Sequence, residues 1–186
     1  EQLDHQLGRN RSSCRYRTAE SLNMPLTEAT AADIASLEKQ LGRQMRDVVG
    51  VGARCVCGNP IVVVTKPRLS DGSPFPTFYY LSLPAATAAL STLEASGFMA
   101  ELQERLAAEP ELAAAYASAH EAYLADRLKY GQVDEIDGIS AGGMPVRVKC
   151  LHALAGHSLA VGPGVNPIGD IALEACTWKQ NRCQCD

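Results

Sequence analysis

The chain has 186 residues, 46% of them hydrophobic and 20% charged, which is enough apolar material for one packed domain and excludes wholesale disorder. A formal net charge of −4 argues against a dedicated binder of nucleic acid or acidic membrane, and the longest strongly apolar run, residues 61–64, is too short to cross a bilayer. No basic, apolar leader opens the sequence, so its seven cysteines are expected reduced, in a cytoplasm.

Residues 1–23 carry Arg9, Arg11, Arg15 and Arg17, nearly balanced by Glu1, Asp4 and Glu20, without a sustained apolar period. They read as a disordered or extraneous arm ahead of a single domain at 24–176, and residues 177–186 read as a polar, cysteine-containing tail. Thr30 with Asp33 predicts a helix start, Ile34, Leu37 and Leu41 share its apolar face, and Gly42 ends it. Two β-like runs follow at 48–56 and 61–65, joined by the turn Cys57-Gly58-Asn59-Pro60, and the second is apolar on both faces, as a central strand would be. A turn-rich link leads to a third strand at 77–83.

Beyond Pro84 the pattern is helical. One stripe ends at Ser96-Gly97, and Phe98, Leu102 and Leu106 form the next. Pro110 opens a long helix reaching about Tyr130, Gly142-Gly143-Met144-Pro145 precedes a helix over 146–161, and Asn166-Pro167 starts a last one. The expected fold is α+β: a small antiparallel three-stranded sheet packed against several helices in a single domain.

Two nucleotide signatures fail. Gly50-Val51-Gly52 lacks its third glycine, with Cys55 in that place, and no stretch has phosphate-loop spacing. Three constellations remain. Cys55 and Cys57, with Cys150 and His152, offer four soft ligands for zinc or an iron–sulfur cluster. Residues two apart face opposite sides of a strand, or lie about 200° apart around a helix, so such a site closes only if Cys57 has left the strand and Cys150 precedes the helix. Otherwise these thiols pack as small hydrophobes.

In the second, Gly142 and Gly143 before a helix let backbone N–H groups converge, and Arg147 and Lys149 add positive charge, which suits a phosphate or carboxylate. The same field would lower the pKa of Cys150 and make it a nucleophile or redox thiol; the alternative is a glycine turn feeding an amphipathic helix. The third is Tyr116, His120, Tyr123 and Arg127 on one face of the long helix, read as a pocket lining or as core-edge residues, with His120 a candidate acid–base group. Cys176, Cys183 and Cys185 read as incidental cysteines near the tail, which Trp178 would tether.

The run from Arg54 to Pro60, the run from Pro67 to Leu81, and three shorter stretches (115–124, 142–152 and 166–169) together resemble a bacterial family catalogued as domain of unknown function 501, over about residues 31–175. Actinobacterial members are the most similar. Their gene commonly lies beside those of a septum-formation initiator and an exopolyphosphatase, which implies a protein partner in cell division or polyphosphate metabolism. More distant members can carry an aromatic residue at the position of Cys57 while keeping cysteine at that of Cys55, which tells against schemes needing both thiols. The resemblance implies no activity.

The leading expectation is therefore a cytoplasmic domain that binds a small anionic, phosphate-bearing ligand. Gly142, Gly143, Arg147 and Lys149 would hold the anion, and Tyr116, His120, Tyr123 and Arg127 would complete the pocket. Whether it is an enzyme is left open; Cys150, His120 and His152 are the candidates for catalysis. The alternatives are a metalloprotein using Cys55, Cys57, Cys150 and His152, and a non-catalytic interaction module.

Overall fold

The computed structural model describes residues 26–185, so the arm expected at 1–23 lies outside the described residues. The first helix, α1 (Ala31–Leu41), opens on a reciprocal cap: the Asp33 N–H donates to Thr30 Oγ1 at 3.1 Å and the Thr30 N–H to Asp33 Oδ2 at 2.9 Å. Gly42 closes it in the left-handed conformation, at φ 65°.

Three strands follow, β1 (Val48–Arg54), β2 (Pro60–Thr65) and β3 (Tyr79–Leu81), in the order β1-β2-β3 with both pairings antiparallel. The central strand β2 is buried along its whole length, as its two-faced apolar pattern requires. β3 is shorter than the 77–83 expected from sequence. The Phe78 N–H turns to the Tyr123 hydroxyl, at 2.6 Å, while only its carbonyl still bonds β2, accepting from the Thr65 N–H at 3.3 Å, so the ladder stops there.

The helices are α2 (Pro84–Ala95), α3 (Phe98–Ala108), α4 (Pro110–Leu128), α5 (Leu151–Val161) and α6 (Pro167–Ala175), with one 3₁₀ turn at Asp134–Ile136. Proline stands in the first turn of α2, α4 and α6, where its missing N–H costs nothing. Asn166 caps α6 by accepting from the Gly169 N–H at 3.0 Å. α5 is buried from Leu154 to Ala160 and packs on the sheet; a Cβ at Gly156 would stand 3.2 Å from the Tyr79 carbonyl oxygen, so the missing side chain permits that approach. The fold is α+β, and among the described residues no helix is long and apolar enough to cross a membrane.

The helix expected over 146–161 begins only at Leu151. Before it the backbone is a strap tied at each step: the Arg147 N–H donates to Gly143 O at 2.9 Å, the Val148 N–H to Gln103 Oε1 at 3.0 Å, and the Lys149 N–H to Gly142 O at 2.8 Å. This late start decides what Cys150 and His152 can reach.

Candidate metal centre

β1 ends at Arg54, so Cys55 and Cys57 sit in the connecting turn. The Cys55 N–H donates to Asn59 O and the Gly58 N–H to Cys55 O, both at 2.8 Å, with Gly58 at φ 93°. Freed from strand alternation, the two thiols face one side. Arg54 braces the base of the turn: it donates to both Asp33 carboxylate oxygens, at 2.6 and 2.9 Å, and to Gly58 O at 3.0 Å. The guanidinium holds the Asp33 carboxyl well below the usual carboxylate range.

The C-terminal segment reaches the same turn. Lys179 Nζ donates to the carbonyls of Leu173 and Glu174 at the end of α6, at 3.1 and 2.7 Å, and Trp178 is 2% exposed. Cys183 and Cys185 are thereby brought beside Cys55 and Cys57, with all four sulfurs within 4.8 Å of one another. Hydrogen bonds from the Asn59 N–H and from Cys183 draw the Cys57 thiol down to about 7, while burial and the neighbouring sulfurs push Cys185 up to about 12. The expectation that Cys183 and Cys185 are incidental is corrected by this placement. The signal that could have found them is the repeated Cys-x-Cys spacing, Cys55-Val56-Cys57 and Cys183-Gln184-Cys185.

The other half of the expected ligand set lies in a separate cluster. Cys150 is the N-cap of α5, at φ −153°, so it precedes helical geometry and its sulfur stands 3.8 Å from His152 Nδ1. The third member is Glu94 at the end of α2, whose Oε1 is 3.2 Å from the same nitrogen. Each pair closed on itself as the geometric condition required, but the two pairs joined different third parties. Burial pushes the Cys150 thiol up, yet hydrogen bonds from His152 and the Ala153 N–H outweigh it and leave the thiol lowered. Contact with Cys150, and then the Glu94 charge, raise His152 to about 9.

The expected anion cradle is arranged differently. At the start of α5 the Leu151 N–H donates to Glu94 Oε1 at 2.6 Å, so the anion at this helix end is the chain's own carboxylate. Arg147 and Lys149 are exposed. Gly142 and Gly143, at φ 64° and 96°, are packed turn positions: a Cβ would meet Leu154 in the first case and the Arg147 carbonyl oxygen in the second, each at 2.6 Å.

The polar face of α4 is buried, and its hydrogen-bonding groups are committed to other parts of the chain. The Tyr116 hydroxyl donates to Arg147 O at 2.9 Å, and His120 Nδ1 lies 2.8 Å from Ser140 Oγ. The Tyr123 hydroxyl donates to Pro76 O at 3.2 Å, and burial raises its pKa to about 12. Arg127 donates to Pro76 O, Ile139 O and Ile136 O, at 3.2, 2.5 and 2.7 Å. These four side chains brace loops against the helix. A hollow of about 100 Å³ lies elsewhere, lined by Tyr79, Asp126, Lys129 and Tyr130 among others, and none of the expected ligand-binding residues lines it.

The sequence matches the family described as "Protein of unknown function (DUF501)" over residues 51–174, more than half of the chain, and the protein belongs to that family. Comparison with curated proteins and with solved structures gives no match. Glu94, Cys150 and His152 all fall inside the matched stretch, whereas Cys183 and Cys185 lie beyond it.

Proposed function

We propose that this DUF501 protein is a zinc protein in which Cys55, Cys57, Cys183 and Cys185 hold one ion and pin the C-terminal tail to the β1–β2 turn. The observation that carries this reading is the meeting of two Cys-x-Cys pairs, far apart in sequence, with all four sulfurs within 4.8 Å of one another. Tetrahedral zinc with bonds of about 2.3 Å separates its sulfurs by about 3.8 Å, which fits inside that limit. An iron–sulfur cluster must seat an inorganic core between its thiolates and spreads them further.

Four protein ligands leave no open position, so the ion serves as a structural staple. Four thiolates around a divalent cation keep a net negative charge, and Arg54 and Lys179 line the hollow beside Cys55. The turn supplies a further hydrogen bond through the Asn59 N–H at Cys57.

The test is elemental analysis of anaerobically purified full-length protein beside the Cys57→Ser/Cys183→Ser variant. The proposal expects one equivalent of zinc to be lost in the variant, together with new protease cleavage in residues 177–182. Equal zinc in the two proteins, or iron with acid-labile sulfide in the wild type, would overturn it.

A further inference from the structure

The cluster of Glu94, Cys150 and His152 has the organisation of a second metal site. His152 Nε2 is 3.1 Å from the Thr87 carbonyl oxygen and 3.1 Å from Ser91 Oγ. A carbonyl can only accept, so Nε2 carries a proton, and Nδ1 is the ring atom that faces the Cys150 sulfur and the Glu94 carboxylate. Three potential ligand atoms, the Cys150 sulfur, His152 Nδ1 and Glu94 Oε1, thus lie within 4.8 Å of one another, and a divalent cation at their centre would displace the proton that Nδ1 otherwise shares with them.

The spacings agree. Tetrahedral zinc places a thiolate and an imidazole nitrogen about 3.6 Å apart, and an imidazole nitrogen and a carboxylate oxygen about 3.3 Å apart. The corresponding separations here are 3.8 and 3.2 Å. The outer shell is also in place: the Thr87 carbonyl fixes the ring, and the Leu151 N–H orients the carboxylate at 2.6 Å.

We propose that Glu94 Oε1, Cys150 Sγ and His152 Nδ1 bind a zinc-class divalent cation whose fourth position is open to water. The mixed oxygen, sulfur and nitrogen set suits zinc over the harder magnesium and calcium ions. The His152 and Glu94 side chains are 24% and 23% exposed, so water reaches the site. With three protein ligands instead of four, it differs in kind from the thiolate staple and stands independently of it.

The test uses the full chain in the Cys57→Ser/Cys183→Ser background, which removes the staple. Zinc is titrated against a chromophoric chelator, and the alkylation rate of Cys150 is followed with and without zinc. The proposal expects one remaining equivalent, weakened at least tenfold by Glu94→Gln, and Cys150 alkylation slowed at least tenfold by zinc. Should Glu94→Gln fail to fold, Cys150→Ala is used and must abolish the same binding. Cobalt in place of zinc should give a thiolate charge-transfer band that Cys150→Ala removes. Absence of a remaining equivalent, or an alkylation rate indifferent to zinc, overturns the proposal and leaves a thiolate–imidazolium pair; neither result bears on the four-cysteine staple, which the unsubstituted chain reports.

Discussion

The two cysteine-bearing clusters are built by different means. At the β1–β2 turn four identical soft donors meet, two from the turn itself and two from the C-terminal segment, and closing the site would fasten a segment that is otherwise held by Trp178 and Lys179. At the start of α5 three unlike donors meet on two packed helices, and the backbone around them is already secured by Gln103, Glu94 and Gly142. Metal at the first site should therefore show in stability, and metal at the second chiefly in the reactivity of Cys150.

The largest expected effect separates them on that ground. With zinc a thousandfold above its dissociation constant, the staple adds about 4 kcal/mol, and Cys57→Ser/Cys183→Ser lowers the melting temperature on the order of 10 °C. Differential scanning calorimetry checks this; an unchanged melt would mean that the tail needs no ion.

The two histidines of α5 sharpen the contrast between a ligand and a packing group. His157 is fully buried, stacked on Tyr79 with the edge of Tyr123 against it, and Asn166 Nδ2 lies 3.2 Å from its Nδ1. Burial, opposed slightly by Asp126, lowers its pKa to about 4. A folded value below the unfolded value of about 6.5 means that the native state holds the neutral ring. Its stabilisation is complete above that pH and is lost as pH falls toward the folded value, by roughly 3 kcal/mol in all. Denaturant titrations of zinc-free protein at pH 7.5 and 4.5 should show His157→Phe losing less stability on acidification than the wild type. Parallel losses would assign the acid sensitivity to other groups.

A smaller change is expected at Glu94. Removing the carboxylate in Glu94→Ala strips the Leu151 N–H of its partner, at a cost of about 1 kcal/mol in zinc-free protein once its partial exposure is allowed for. Urea midpoints measure it, and a neutral result would make the carboxylate dispensable to the helix start. The smallest effect belongs to Arg147→Gln/Lys149→Gln. These exposed side chains should change stability by less than about 0.5 kcal/mol. Phosphate should shift the melt of wild type and variant alike; a phosphate-dependent rise found only in the wild type would restore the anion site that the sequence suggested.

The sequence was most informative where local chemistry acts alone. Thr30, Asp33 and Gly42 specify both ends of α1, and Asn166-Pro167 specifies the start of α6, because caps are made within a few residues. The Cys55–Cys57 and Cys150–His152 pairs are visible as local spacings, but their geometry depends on where β1 ends and where α5 begins, and the sequence placed these boundaries at Val56 and Val146 instead of Arg54 and Leu151. Their partners were not readable, because they depend on how the tail returns to the hairpin and how α2 meets α5. Glu94, an ordinary acidic residue near a helix end, carries no pattern at all. The face of α4 misled for a related reason. Two phenols, an imidazole and a guanidinium suit a pocket, but carbonyls from the loops at Pro76, Ile136, Ile139 and Arg147, and the Ser140 hydroxyl, face that side of the helix.

X-ray absorption at the zinc edge, on full-length protein loaded with a single equivalent, tests the central claim most directly. The account predicts a first shell of four sulfurs at about 2.3 Å. A shell dominated by nitrogen and oxygen at about 2.0–2.1 Å would contradict it.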